Sequence, residues 1–481
     1  SDDCWVHHCL IYPPHRISAS APGVYEGTGI QFAGDASVPA QGSFRGIVAF
    51  CRIVNMLKDG VQFEYAPWGT VFSCTFTTAV SGAWETSAVQ FCYASSDGIC
   101  YDCNCDMNNT VSTRGYKSHG CASIIFGLNI SSFAVLSGIW IDSHDYSAND
   151  NIVIGNRMYG TADIAQYGIS VEGTNASRNN LIVGNNITNH SIGIRVTSAS
   201  ANMYRTHIMN NTIYGDRLAD PSVERGIFID RSQFNFIIGN HIDNIGNATM
   251  NTNAGIYLYG NCDYSVVKTN TMRECNFPLR TAGSAGDGYP DWCVFTDNFA
   301  DFSLAQTSTF FNINGSTYLI IARNTVVRMN NYGVTIDGAA DYIWIYNNEF
   351  LVCGDDTLHR FAAGTNIYVY YNAGWITENI LLSGTFTIDA VGTKTVTVAH
   401  NLGDVAHAYQ PYTPAKEQFA VTVVEDTAVD DWRFDLLKVS SVTAANVVVK
   451  VHVNVASATG GATAKIGIHV FTGLPNSAGG L

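Results

Sequence analysis

Three carboxylates and one guanidinium stand at matching places in short segments that begin with glycine. Asp142, Glu172 and Asp230 each lie four residues after a glycine, and Arg195 lies two residues after another. The residues in these segments alternate between apolar and polar, which predicts β-strands whose alternate side chains share a face. The four charged side chains are therefore expected on one outward-facing surface, close enough to act together.

Aromatic residues accompany these charges. They occupy outward positions of the same or neighbouring segments: Trp140, Phe228, Tyr257 and Tyr259. Aromatic rings offer broad apolar faces, which suit the C–H faces of sugars, while carboxylates suit sugar hydroxyl groups. The combination predicts a site for a sugar chain, with the aromatic residues as substrate-binding residues and the charged residues as catalytic ones.

Two kinds of chemistry fit this set. In stacked strands Asp142 and Glu172 would be about 5 Å apart at the backbone, and Glu172 and Asp230 about 10 Å, which suits retaining or inverting glycoside hydrolysis. Alternatively, the acids would hold Ca²⁺ on a uronate carboxylate while Arg195 or a histidine such as His144 takes the adjacent proton, giving β-elimination. Ca²⁺ is therefore expected only for a lyase, and no other cofactor or dedicated metal site is predicted. The same acids are also compatible with an ordinary solvated surface.

The segments belong to a repeat in which a short apolar run is followed by Asn, any residue and an apolar residue. Successive positions lie 24 to 30 residues apart: Asn156, Asn185, Asn211, Asn240, Asn270, Asp297 (in place of Asn), Asn324 and Asn348. A period in the twenties, made of short alternating strands, is typical of a solenoid. Asn tolerates left-handed turns, and stacked amides can hydrogen-bond between coils. We predict a right-handed parallel β-helix.

Before the Asn series, cysteine takes the repeated position. Alignment on the phrase places Cys9, Cys51, Cys74 and Cys103 there, followed by Leu128. The 13 cysteines show no paired zinc-type spacing, so we expect mainly buried free thiols and folding in a reducing compartment. The chain opens at Ser1 in what reads as a coil already in progress, so an N-terminal part such as a cap is expected to precede it.

The composition limits the classes of partner. With 25 basic and 40 acidic residues the formal net charge is −15, which argues against nucleic acid and anionic membranes as partners. A hydrophobic content of 46% and a charged content of 14% suit a long core of stacked strands. No apolar run approaches the roughly 18 residues that a membrane-spanning helix needs.

The repeat stops after Asn372, and longer alternating segments such as 446–453 follow. No cysteine occurs beyond Cys353. We therefore expect residues 1–374 to form the β-helix, residues 375–384 a linker, and residues 385–481 a separate antiparallel β-sandwich.

The coils from Asn156 to Asn348 resemble those of the pectate-lyase-like superfamily of parallel β-helices. A β-helix followed by a cysteine-free β-sandwich resembles a bacteriophage tailspike. The resemblance covers about residues 1–372 for the coils and rests on domain order for the tailspike. It carries no diagnostic catalytic motif.

The resemblance implies a homotrimer locked by its C-terminal domains, placed on a virion tail after folding in the host cytoplasm. It also implies a depolymerase of bacterial surface polysaccharide, either a hydrolase or a lyase, in which Asp142, Glu172 and Asp230 take the place of the catalytic carboxylates. The alternative from another class is a non-catalytic glycan-binding or structural β-helix, such as a fibre or an adhesin.

Overall fold

A computed structural model describes most of the chain. The described residues are 3–12, 28–34, 45–56, 58–78, 86–107, 113–160, 166–199, 203–215, 224–246, 253–302, 309–328, 332–336, 338, 340–351, 359–361, 365–370, 372, 382–387, 392–399, 419–426, 433–442, 446–455 and 463–470. Among them no helix is long and apolar enough to cross a membrane.

Three parallel sheets form a β-helix, and each coil contributes one strand to each sheet. Sheet A has 14 described strands, Asp3–His7, Arg45–Ala49, Thr70–Phe72, Ile99–Tyr101, Ile125–Gly127, Ile152–Ile154, Leu181–Val183, His207–Met209, Phe236–Ile238, Val266–Lys268, Val294–Thr296, Ser316–Ala322, Ala340–Tyr346 and Thr365–Tyr370. Sheet B has 13, Leu10–Ile11, Arg52–Met56, Thr75–Thr78, Asn104–Asp106, Ile130–Ser132, Arg157–Tyr159, Asn186–Thr188, Thr212–Tyr214, His241–Asp243, Thr271–Arg273, Phe299–Asp301, Thr325–Val327 and Glu349–Leu351.

Sheet C carries the predicted site residues. It has 13 described strands, Ile30–Ala33, Val61–Glu64, Thr86–Cys92, Thr113–His119, Ser137–Asp142, Tyr167–Gly173, Ile192–Ser198, Arg225–Asp230, Ala254–Tyr259, Leu279–Ala282, Phe311–Asn314, Val334–Ile336 and His359–Phe361. A small fourth sheet joins Ser177–Arg178, Met203–Tyr204 and Ser232–Gln233. The prediction of a parallel β-helix is confirmed, while its right hand stays a prediction.

The core runs through the middle of the coils. In the three-residue strands the central side chain points inward, and residues such as Ile182, Ile208, Ile237 and Val267 are fully buried one above another. Burial of such side chains contributes about 1.5–3 kcal/mol each. Because neighbouring coils share this stack, each coil depends on the next for most of its apolar contact.

A ladder of buried asparagine amides follows one corner of the coils. Each Nδ2 atom donates to the Oδ1 atom of the next Asn at 2.8–3.0 Å, and each backbone N–H donates to the same oxygen. Its members are Asn129, Asn156, Asn185, Asn211, Asn240, Asn270, Asn298, Asn324, Asn348 and Asn372.

Two assignments to this ladder were wrong by one residue. Leu128 and Asp297 precede the ladder residues Asn129 and Asn298, and they adopt left-handed backbone angles with φ of 52° and 57°. The left-handed turn therefore falls on the residue before the ladder position, where Gly155 also lies. The Asn side chain is used for hydrogen bonding inside the corner rather than for turn geometry.

Cysteines continue the ladder towards the N-terminus. The backbone N–H of Cys103 donates to Oδ1 of Asn129 at 3.0 Å, and that of Cys51 donates to Sγ of Cys74 at 3.4 Å. Ten of the 12 described cysteines are buried and none of the 12 is in a disulfide, which confirms the free thiols for these ten. Cys9 is exposed, and Cys353 lies outside the described residues.

Two three-stranded antiparallel sheets follow the β-helix. One joins Leu382–Thr387, Thr463–Val470 and Phe419–Asp426, and the other joins Gly392–Ala399, Asn446–Val455 and Arg433–Val442. The antiparallel strands agree with the predicted class of this part. Their arrangement as a sandwich and the three domain boundaries stay predictions, and most of the expected linker lies outside the described residues.

Replacing one ladder amide tests the role of the ladder. Asn240 accepts from the backbone N–H of Asn211 at 3.0 Å and donates to the carbonyl oxygen of Ile208 at 2.9 Å. An unsatisfied buried polar group costs about 1–3 kcal/mol, so Asn240→Ala should lower the free energy of unfolding by at least about 2 kcal/mol in urea denaturation. Asn186→Ala, at an exposed position of sheet B, should stay within about 0.5 kcal/mol. Equal small effects would contradict this role.

Candidate functional site

The glycine that opens each site segment is required by close packing between coils. A Cβ atom on Gly168 would lie 2.4 Å from Cγ2 of Ile187 and 2.5 Å from the carbonyl oxygen of Gly193. Only glycine fits there, because both neighbours belong to packed backbone or core. The repeated glycine therefore fixes where each strand of sheet C starts, and so which later residues point outward.

The register of sheet C places the predicted residues in two outward columns. The first contains Gln90, Lys117, Trp140, Ser170, Arg195, Phe228, Tyr257 and Arg280. The second contains Cys92, His119, Asp142, Glu172, Thr197, Asp230 and Tyr259. Arg280 pairs with Tyr257 and therefore belongs to the first column. With strands about 4.8 Å apart, the three predicted carboxylates and Arg195 do share one face.

Asp142 is a buried carboxylate held between two histidines. Its side chain is 2% exposed, and its Oδ2 atom lies 2.6 Å from Nδ1 of His119. Its Oδ1 atom contacts Nδ1 of His144 and accepts from the backbone N–H of His144 at 3.0 Å. Nε2 of His119 lies 2.8 Å from Oδ2 of Asp145. A neutral imidazole has one N–H, so His119 donates to both carboxylates only when its ring carries both protons.

These contacts determine the charge of Asp142. Burial alone raises the pKa of this carboxyl group, but hydrogen bonds from His119 and His144 and the nearby charges of His119 and Lys117 outweigh burial and lower the pKa to about 2. Asp142 is therefore ionised at neutral pH and cannot serve as a proton donor. The geometry makes it an orienting group for His144, whose side chain is 49% exposed.

Glu172 and Arg195 form an ion pair in the middle of the face. Nη1 of Arg195 donates to Oε2 of Glu172 at 2.9 Å, and both side chains are partly exposed. The guanidinium also lies over the ring of Tyr167, with Cζ 4.6 Å from the ring centroid. The contact with the ring and the bond to the carboxylate both limit the orientations open to Arg195.

Asp230 belongs to a second network, two strands from Glu172. It accepts hydrogen bonds from Oγ1 of Thr197 at 2.8 Å and from Nε of Arg231 at 3.0 Å. The hydroxyl of Tyr259 donates to Asp287 at 3.1 Å, and Nη1 of Arg231 lies 3.5 Å from Asp287. Each of the three predicted carboxylates is thus in contact with a basic side chain.

The four aromatic residues differ in their access to solvent. Trp140 is only 8% exposed, with the Arg114 guanidinium 3.7 Å from its ring centroid, and Tyr257 is only 5% exposed. These two rings are not presented to a ligand in this structure. Phe228 and Tyr259 are half-buried, so they retain surface that a sugar could contact.

The spacing that locates Asp142 also places His119, four residues after Gly115, just before Asp142 in the second column, and the structure confirms this position. Two other residues of the face were missed from the sequence. Arg225 and Arg231 lie outside the alternating segment, because Arg225 precedes its glycine and Arg231 follows its carboxylate. Within the part of the chain that the structure describes, no group of three or more His, Cys, Asp or Glu residues is arranged to hold a metal ion.

No family model matches this chain, and no curated protein matches its sequence. A mutant tailspike protein of E. coli bacteriophage HK620 in complex with a pentasaccharide matches with a TM-score of 0.53 at 12% identity, over 93% of this chain and 76% of that chain. A second mutant of that tailspike, also in complex with a pentasaccharide, gives a TM-score of 0.52 at 12% identity, over 92% of this chain and 75% of that chain.

At this level of identity the similarity concerns the fold. The chain has the parallel β-helix fold of these tailspike structures, as the resemblance of its sequence predicted for the fold.

The buried Asp142 predicts a specific dependence on pH. Its pKa falls from 3.8 to about 2 on folding, so the carboxylate stabilises the fold above about pH 4, and this contribution is lost as the pH falls towards 2. The wild type should lose about 2 kcal/mol more than Asp142→Asn over this interval, measured by urea denaturation at several pH values. Glu349→Gln, at an exposed position of sheet B, should follow the wild-type profile. Parallel profiles for wild type and Asp142→Asn would contradict the assignment.

Proposed function

We propose that this chain binds a bacterial surface polysaccharide along the outward face of sheet C and cleaves it there, as a tailspike-type depolymerase. The observation that carries the proposal is the continuous row of Asp142, Glu172, Thr197 and Asp230 on four consecutive strands. Polar groups repeated about every 4.8 Å suit successive units of an extended sugar chain. The tailspike structures of the same fold were solved in complex with a pentasaccharide, which supports this class of ligand.

For hydrolysis, Glu172 and Asp230 are the acid–base pair that we propose. Their strands are two apart, or about 10 Å at the backbone, which approaches the carboxyl separation of inverting enzymes. Arg195 and Arg231 already donate to these carboxylates. The substrate must therefore rearrange at least one ion pair before a carboxyl group can act as an acid.

For β-elimination, His144 is the base that we propose beside Arg195. Its partly exposed ring is held by the buried carboxylate of Asp142, in the way that a carboxylate orients a catalytic imidazole. A nearby guanidinium or Ca²⁺ would then neutralise the uronate carboxylate of the substrate.

A non-catalytic glycan-binding β-helix is the second candidate. The observation in its favour is that Asp142, Glu172 and Asp230 all make hydrogen bonds to basic side chains. Such pairs hold polar groups in fixed positions, which suits recognition as well as it suits catalysis.

We also propose a homotrimeric assembly on a virion tail, with residues 385–481 locking three copies. The support is the similarity of fold to phage tailspikes. Sedimentation equilibrium of the chain, with and without residues 385–481, tests this: a trimer that depends on the C-terminal part is the expected result.

Cleavage is tested on a panel of uronate-bearing and neutral bacterial polysaccharides. Product size by gel filtration reports cleavage, and ultraviolet absorbance reports the unsaturated uronate that elimination leaves. Glu172→Gln should lower turnover at least 100-fold while glycan binding is retained. For a lyase, His144→Ala should have a comparable effect, and a chelator followed by Ca²⁺ shows whether the ion is required.

Glu349→Gln provides the matched control, since it makes the same chemical change at an exposed site on another sheet. Shortened chains without absorbance identify a hydrolase, and shortened chains with absorbance identify a lyase. If polysaccharides of the panel bind but none is shortened, the second candidate, a non-catalytic glycan-binding β-helix, replaces the depolymerase. Absence of both binding and shortening would overturn the proposal.

A further inference from the structure

Arg225 is a half-buried guanidinium placed against aromatic rings. Its Cζ atom lies 4.0 Å from the ring centroid of Phe228 and 4.8 Å from that of Tyr257. Its Nε atom is buried without a hydrogen-bond partner. Arg195 and Arg231, on the same face, are each paired with a carboxylate, whereas no described carboxylate forms an ion pair with Arg225.

A second guanidinium shares the same ring. Cζ of Arg280 lies 4.9 Å from the ring centroid of Tyr257 and 5.7 Å from that of Phe277. Two positive side chains therefore converge on one buried tyrosine, in a chain whose formal net charge is −15. Cation–π contacts hold each guanidinium in place, and those around Arg225 do not neutralise its charge.

The surroundings of Arg225 favour a bound negative charge. Burial lowers the pKa of Arg225 to about 10, and the positive charges of Arg280 and Arg195 act in the same direction, opposed by Tyr257 and Asp230. The carboxylate of Asp230 already accepts hydrogen bonds from Arg231 and Thr197. An anion at Arg225 would supply both the missing hydrogen-bond acceptor and the missing charge.

We propose that Arg225, with Arg280 beside it, forms a subsite for an anionic substituent of a sugar, either a carboxylate or a phosphate ester. A guanidinium presents a planar fork of donors that binds either group through two parallel hydrogen bonds. The half-buried ring of Phe228 would pack against the same sugar. This inference rests on the proposed glycan-binding function and names the class of sugar that the face takes.

The position of the subsite places the acidic sugar close to the carboxylate row. Arg225 begins the strand that ends at Asp230, and Phe228 pairs with Arg195 on the preceding strand. An acidic unit at Arg225 therefore lies two coils from the strand that carries Glu172. The acidic sugar unit would contact the guanidinium groups of the face, while the uncharged sugar units next to it contact the carboxylates.

Matched pairs of small sugars test the subsite. Glucuronate, galacturonate and N-acetylneuraminate are each compared with their methyl esters, and glucose 6-phosphate with glucose, by titration calorimetry and ligand-observed NMR at millimolar concentration. The wild type should bind at least one acidic sugar about tenfold more tightly than its neutral partner, and added salt should reduce the difference. Comparison of the three carboxylate sugars with glucose 6-phosphate shows whether the subsite binds a carboxylate or a phosphate ester.

Substitution of Arg225 assigns the preference to this residue. Arg225→Met keeps an apolar stem against the rings and should lose the preference for the acid, with binding of the neutral partner unchanged, while Arg225→Lys should keep part of it. Arg157→Met, at an exposed position of sheet B, is the matched control and should bind as the wild type does. Circular dichroism before titration confirms that the variants are folded.

The outcomes separate this inference from the proposed function. No preference for any acidic sugar in the wild type, or a preference that Arg225→Met leaves intact, would overturn the subsite. Equal binding of the acidic and neutral partners would overturn the subsite but leave glycan binding in place. If no sugar and no polysaccharide of the panel binds, both proposals fail.

Discussion

The buried amide ladder is the interaction on which the rest of the structure depends. Each Asn from Asn129 to Asn348 uses its side-chain oxygen and nitrogen to tie one coil to the next. These amides are sealed from water, so an unsatisfied member would be costly. The ladder therefore determines the register in which successive coils stack, and with it the vertical alignment of every other column of side chains.

Register matters because the side chains of a strand alternate between two faces. A slip of one residue in a strand of sheet C would turn its outward charges into the core and its core residues outward. Glycines such as Gly168, which have no space for a Cβ atom, fix the start of the strand by an independent steric constraint. Together the amides and the glycines align Asp142, Glu172 and Asp230 on one face although 88 residues separate the first from the last.

The resulting face is electrostatically balanced near its carboxylates and unbalanced near Arg225. Asp142 lies between His119 and His144, and Asp230 is bonded to Arg231. Arg225 instead lies against aromatic rings that hold it without cancelling its charge. A ligand with both hydroxyl groups and negative charge fits this division, because each part of the face then meets groups of complementary character.

Local repetition allowed the sequence by itself to determine the fold. A short strand, an Asn corner and a glycine-led strand recur every 24 to 30 residues, and only a stacked solenoid satisfies all three at once. The same spacing predicted that Asp142, Glu172, Asp230 and Arg195 share a face. It also placed His119, four residues after Gly115, in the same column just before Asp142.

The tertiary structure decided what the repeat pattern leaves open. Leu128 and Asp297 match the pattern, yet the amide that fits the corner is one residue later, because hydrogen-bond geometry rather than spacing selects it. Trp140 and Tyr257 have the outward spacing of substrate-binding residues, but long basic side chains from neighbouring strands cover them. Pairing of carboxylates with cations and burial of rings depend on where side chains from different coils end. Those positions arise only when the coils stack, so a one-dimensional period cannot contain them.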